Sequence, residues 1–186
     1  MQAAYDRGAI DDELLETMPE PLAAAARSGS IHAVGDAITA LSPGERDAVT
    51  RALGERLGPD PADAAGMRAA EIRELAAGGH EIGFHTLRHD YLPNLDDDQL
   101  AAAMVAGREA LAELAGAGVS VFAYPSGGVD GRVADAVRDA GYRYGYTTRP
   151  MAVRPDSDPL WLGRVMPSPD NVAQLELMIV RTIAGR

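Results

Sequence analysis

From Ala69 onward, helical stretches and short apolar runs take turns, and this alternation is the feature that most limits what the chain can fold into. Glu71 to Ala77 reads as a helix ended by Gly78-Gly79, followed by a short strand from His80 to His85. A loop through Leu92-Pro93-Asn94 leads to a helix from about Asp96 to Ala115, with Asp96 to Asp98 favouring its positive end. Val119 to Tyr124, β-branched and aromatic, reads as a buried strand turned by Pro125-Ser126-Gly127-Gly128. Asp130 to Ala140 is the next helix, Tyr142 to Thr148 a third strand and Leu160 to Val165 a fourth. Asn171 to Ile183 is a closing helix with Val172, Leu175, Ile179 and Ile183 along one face. Such alternation predicts an α/β fold with parallel strands. Sites in these folds gather at the C-terminal ends of strands, where the turns after His85 and Tyr124 lie.

The first part of the chain reads differently. Ala9 to about Leu57 is helical throughout, with Pro19 and Pro21 breaking one helix from the next. Ser42-Pro43-Gly44-Glu45 carries the marks of a helix start: Ser as N-cap, Pro at the first helical position and Glu at the third. Ala48, Leu53 and Leu57 then fall near one face, and Gly58-Pro59 ends the helix. No strand is expected in this part. The resulting division is a helical region over residues 1–68 and an α/β region over 69–186, forming one domain overall.

Composition narrows the partners. With 46% apolar and 24% charged residues the chain can bury a core, which argues against disorder. A net charge of -11 with no dense Lys/Arg cluster argues against nucleic acid as a partner. No apolar run approaches the roughly 18 residues of a membrane span. Met1 to Leu15 is acidic and lacks the apolar centre of a secretory signal, so the expected location is the cytoplasm. The absence of cysteine rules out disulfides and thiolate metal sites.

Of four histidines, His85 and His89 fall together at the end of an expected strand, with Asp90 next door. Neutral imidazoles are good ligands for zinc or a similar divalent ion. The competing reading of a His-x-x-x-His pair is a capping or surface role. His80, at the start of the same strand, reads as a structural hydrogen-bonding residue, and His32 as part of the helical region.

Gly79-His80-Glu81-Ile82-Gly83-Phe84-His85-Thr86-Leu87-Arg88-His89 resembles the Gly-His-Glu-Ile-Gly-x-His-Thr-x-x-His segment of the polysaccharide deacetylase (NodB-homology) family. Phe122-Ala123-Tyr124-Pro125-Ser126-Gly127-Gly128 resembles the next motif of that family, and Gly141 to Arg149 the strand that follows. The three blocks stand in the family's order, and the resemblance covers about Glu71 to Pro167. The helices before Glu71 look like an insertion carried by some members. The resemblance implies a deformed (β/α) barrel missing its first strand or strands, and a metal-dependent hydrolase that removes N- or O-acetyl groups from a carbohydrate. It further implies that His85 and His89 bind a divalent ion, zinc by expectation, that Thr86 braces their loop, and that the Ser126 backbone N–H contributes to an oxyanion hole.

The departures are specific. The family's first motif, Thr-Phe-Asp-Asp-Gly, supplies a base Asp and a ligand Asp, and no segment here matches it. Asp11-Asp12 follows a poor strand and opens a helix. Ala123 stands where an Arg is usual, and no late His follows His89 to act as general acid. No general base is therefore assigned. Tyr124 and Pro125 are expected to wall the substrate pocket or to pack. Trp161 either stacks on a sugar or sits in the core, and Arg164 either contacts substrate or forms an ion pair. Two other readings stay open: a catalytically inactive remnant or carbohydrate-binding scaffold, and a metal-dependent amidase acting on a non-sugar substrate such as a cyclic imide. A barrel lacking its first strands exposes an apolar edge, which predicts self-association into a homo-oligomer.

Overall fold

The computed structural model describes residues 10–57, 66–165 and 172–184. The chain divides into two compact units, Met1–Gly66 and Met67–Arg186.

The first unit is helical, as the sequence predicts: α1 (Asp12–Glu16), α2 (Glu20–Arg27), α3 (Ile31–Ala40) and α4 (Pro43–Leu57). Its core gathers Leu14, Leu15, Met18, Leu22, Ala23, Ala26, Val34 and Val49. The start of α4 is the expected capping arrangement, with the Glu45 carboxylate accepting from Ser42 N–H at 2.9 Å and Ser42 Oγ accepting from Glu45 N–H at 3.4 Å. The buried face of α4 differs from expectation: Val49 is inside, with Ala52 and Leu53 packed beside it, while Ala48 is exposed. The side chain of Leu57 and the Gly58-Pro59 stop lie outside the described residues. Asp11 caps α1 by accepting from Leu14 N–H at 2.9 Å and pairs with Arg56. Those two interactions, the Leu14 amide first, hold its carboxyl below the usual range.

The second unit contains α5 (Ala69–Ala77), α6 (Asp97–Val105), α7 (Arg108–Ala115), β1 (Val121–Ala123), α8 (Gly131–Asp139), β2 (Tyr144–Tyr146) and α9 (Val172–Ala184). β1 and β2 pair in parallel, with Phe122 opposite Gly145. Phe84 joins the far side of β1 through a parallel bridge to Phe122, and Leu162 joins the far side of β2 through one to Tyr146. Four expected strand regions therefore lie side by side in chain order, all parallel. The α/β reading holds, and the strands are shorter than expected. Among the described residues two three-residue strands form, and no closed barrel is seen.

The shortness has local causes. The Val119 carbonyl, which alternation puts on the same edge of β1 as the Val121 carbonyl that Phe84 uses, accepts from Arg108 Nε and Nη2 at 3.1 and 2.6 Å, so it is taken by a side chain and not by the segment before Phe84. At the other end Pro125 has no N–H to continue it, and Ser126 turns the chain at φ 53°. The Leu160–Val165 run is interrupted by Gly163, where a Cβ would sit 2.2 Å from the Met151 carbonyl oxygen. The single helix expected over Asp96–Ala115 is two, because Gly107 takes φ 84° between α6 and α7.

The core of this unit joins Phe84, Phe122 and Tyr142 from the strand regions with Leu100, Met104, Val133 and Val137 from α6 and α8. Arg108 ties it together. Its guanidinium lies 3.9 Å from the Tyr142 ring centroid and donates to the Ala140 carbonyl at 2.6 Å, besides its two bonds to Val119. Removing a charged donor from such carbonyls costs about 1.5–3 kcal/mol per bond. Arg108→Ala is therefore expected to destabilise the fold by about 3 kcal/mol or more, read from chemical denaturation. An unchanged midpoint would show that water replaces the guanidinium without loss.

Burial pushes the Tyr142 hydroxyl up to about 12, against a smaller opposing effect of Arg108. Burial also raises Tyr124. An unfolded tyrosine ionises near pH 10. The folded state favours the neutral phenols, so their contribution is complete below pH 10 and is lost as pH rises toward 12. The melting temperature is expected to fall across that window, and more shallowly in Tyr142→Phe. Equal alkaline slopes in the two proteins would assign the loss to other groups.

Among the described residues no helix is long and apolar enough to cross a membrane. α9 forms as expected, but Ile179 and Ile183 are 42% and 63% exposed, so the face drawn through them is not buried. The side chain of Val172 lies outside the described residues.

Candidate functional site

The C-terminal ends of the parallel segments collect the residues singled out by sequence. Phe84 is fixed in the sheet by its N–H to the Val121 carbonyl at 2.8 Å and by the Ala123 N–H to its own carbonyl at 2.9 Å. That bridge sets His85 beside Ala123, whose carbonyl lies 2.7 Å from His85 Nδ1. A carbonyl can only accept, so Nδ1 carries the hydrogen and Nε2 presents a lone pair outward.

His89 is brought next to His85 by a strained loop. Their ring centroids are 4.8 Å apart at an interplanar angle of 81°. Thr86 and His89 have φ of 59° and 55°. A left-handed conformation is uncommon for any residue with a Cβ and most costly for a β-branched one. Thr86 Oγ1 accepts the His89 N–H at 3.0 Å, which holds the turn in this shape. Every non-glycine residue with positive φ among those described is at this strand end: Thr86, His89 and Ser126.

Ser126 is exposed, and its N–H meets no acceptor among the described residues. Two close approaches hold its turn in place. A Cβ on Gly127 would lie 2.1 Å from Thr148 Oγ1, and one on Gly128 would lie 2.3 Å from the Tyr91 ring. Tyr91 belongs to the loop after His89, so the histidine loop and the Ser126 turn pack directly against each other. Gly127→Ala is expected to cost stability and to disturb the turn, since it meets both φ 71° and the Thr148 side chain.

The structure places the other singled-out residues as follows. Tyr124 is 1% exposed and donates to the Leu160 carbonyl at 2.8 Å, and Pro125 is buried with it. Both serve packing, and a bound molecule cannot reach them. Trp161 is half-buried, packed against the core, with the Arg149 guanidinium 5.3 Å from its ring centroid. Arg164 is exposed and makes no ion pair among the described residues. Asp90 is buried, with its carboxylate 3.4 Å from Arg88 Nε. His80 is exposed at the other end of its segment, its N–H closing α5 on the Leu75 carbonyl. Among the described residues no group of three His, Asp or Glu side chains that could hold a metal ion is found, here or elsewhere.

Sequence reasoning missed the Ala123 carbonyl, which orients His85 from the backbone and so leaves no trace in residue type. It also missed Tyr91 and Arg149. The paired glycines at 127 and 128 hinted at a close approach, without saying by what.

A family model of polysaccharide deacetylases matches residues 49–145. The fold is similar to the deacetylase PplD of Streptococcus pyogenes, solved with acetate, at TM-score 0.57 and 21% identity, over 64% of this chain and 51% of that one. A polysaccharide deacetylase of Bacillus cereus matches at TM-score 0.53 and 23% identity, over 73% of this chain and 48% of that one. IcaB of Ammonifex degensii matches at TM-score 0.50 and 26% identity, over 61% and 53%. The chain thus spans about half the length of these solved proteins. No curated protein matches it. With three motif blocks in order, a parallel α/β core and a family match over half its length, the chain belongs to the polysaccharide deacetylase family.

Proposed function

We propose that the chain carries the histidine side of a divalent-metal-dependent hydrolase that removes N- or O-acetyl groups from a carbohydrate. On nitrogen this is cleavage of a carbon–nitrogen bond other than a peptide bond. The observation that carries the reading is the pairing of the His85 and His89 rings at the strand ends, beside the unused N–H of Ser126. Two imidazoles sharing one tetrahedral ion at about 2.1 Å would have centroids roughly 5 Å apart, close to the 4.8 Å found. The Ala123 carbonyl gives His85 the tautomer and orientation that a ligand needs. Zinc or a similar ion, when bound, polarises the acetyl carbonyl and makes water acidic enough to supply the nucleophile near neutral pH.

The roles of the chain's own groups follow. His85 and His89 hold the ion, with Thr86 keeping the second ring in position. Ser126 N–H donates to the acetyl oxygen as negative charge develops on it, a contribution of about 2.7–4 kcal/mol for a well-aimed donor. Among the described residues no group of three His, Asp or Glu side chains is placed to hold a metal ion. The four parallel segments then represent consecutive staves of a (β/α) barrel whose first strands lie outside them. With two ligands and no third among the described residues, one further reading is a non-catalytic scaffold that keeps the fold and binds carbohydrate. The test is acetate release from acetylated oligosaccharides with zinc and with a chelator, using His89→Ala as control. Zinc-dependent release above that control supports the hydrolase. Equal traces in all samples, with binding retained, support the scaffold.

A further inference from the structure

The strand end that carries His85 and Ser126 continues across the sheet to two arginines that the deacetylation chemistry does not use. The link is contiguous. Gly127 sits against Thr148, Arg149 follows Thr148, and the Arg164 N–H donates to the Arg149 carbonyl at 2.8 Å. Gly163 is pressed onto the Met151 carbonyl, so the two backbones bearing these arginines are locked together. Both side chains are exposed, and neither pairs with a carboxylate among the described residues, in a chain with 28 acids to 17 bases. Arg27, Arg56, Arg68, Arg88, Arg132 and Arg138 each do hold a carboxylate. The nearby Asp158 is occupied in accepting the Leu160 N–H at 2.8 Å. Trp161, three residues before Arg164, keeps part of its ring open and has the Arg149 guanidinium 5.3 Å from its ring centroid. Guanidinium groups match planar oxyanions in a bidentate manner, and a half-open indole offers a face on which a sugar ring can stack.

We propose that Arg149, Trp161 and Arg164 form a subsite for an anionic substituent, a carboxylate or a phosphate, on the acetylated glycan, so that the preferred ligand is acidic. This rests on the reading of the site as a carbohydrate site. Binding of the full chain to a hyaluronan hexasaccharide, which alternates N-acetylglucosamine with glucuronate, is compared by calorimetry with neutral chitohexaose. N-acetylglucosamine 6-phosphate and N-acetylglucosamine form a second pair. The acidic member of at least one pair is expected to bind about tenfold more tightly at low salt, an advantage of roughly 1.4 kcal/mol. The advantage should shrink in high salt and vanish in Arg149→Gln/Arg164→Gln, whose circular dichroism stays unchanged. The pair that shows it identifies the anion. Equal binding of neutral and acidic ligands, or an advantage that survives the double substitution, overturns the subsite and leaves the carbohydrate reading standing. Failure of every sugar to bind overturns both.

Discussion

His85→Ala is expected to lower the zinc affinity of the chain by about 10²-fold or more, with His80→Ala and His32→Ala unchanged. Loss of an outer-shell partner alone weakens metal sites by roughly 10–100-fold, and His85 would supply one of the two ligands found among the described residues. The structure adds a graded variant. Thr86→Val removes the oxygen that accepts the His89 N–H while keeping the shape of the side chain. Because the left-handed turn at Thr86 and His89 then lacks its brace, a smaller loss of about tenfold is expected. Calorimetric titration reads both. Identical affinities in His85→Ala and the unaltered chain would remove the metal from the proposal and leave the strained turn without a function.

The second large effect concerns rate. The chain is expected to release acetate at least 10²–10⁴-fold more slowly than a deacetylase that contains a positioned general base, since that is the usual contribution of such a group. Asp11 is engaged by the Leu14 amide and Arg56. Asp90 is buried against Arg88. Acetate release measured beside a family member carrying the Thr-Phe-Asp-Asp-Gly motif provides the comparison. Rates within tenfold of that enzyme would mean that one of these acids, or one outside the described residues, acts as the base.

Much of the fold was legible because it is written in local chemistry. Ser42 with Glu45, and Asp96 with Gln99, are reciprocal caps that any helix start can announce. The strands were legible from β-branched and aromatic runs bounded by glycine and proline. Their true length was not, because contacts such as Arg108 reaching the Val119 carbonyl on the Phe84 edge of β1 come from a helix and leave no local signal. The break at Gly107, with φ 84°, inside the single helix expected over Asp96–Ala115 was not legible either. The histidine pair was visible in spacing and in the family resemblance, but the features that make it a site come from the tertiary fold: a backbone carbonyl, three left-handed residues and a tyrosine laid on a glycine. Which of its two readings Tyr124 takes was hidden for the same reason. A strand-end residue points either to the pocket or to the core, and alternation puts this one inside, with its hydroxyl answered by Leu160.

The most direct test of the histidine centre is nitrogen-edited NMR of the imidazoles during a zinc titration. His85 and His89 should shift together and saturate at one ion per chain, the His85 Nδ1 hydrogen should persist throughout on the Ala123 carbonyl, and His32 and His80 should not move. Uniform shifts of all four histidines, or none at His85 and His89, would contradict a shared metal site at this strand end.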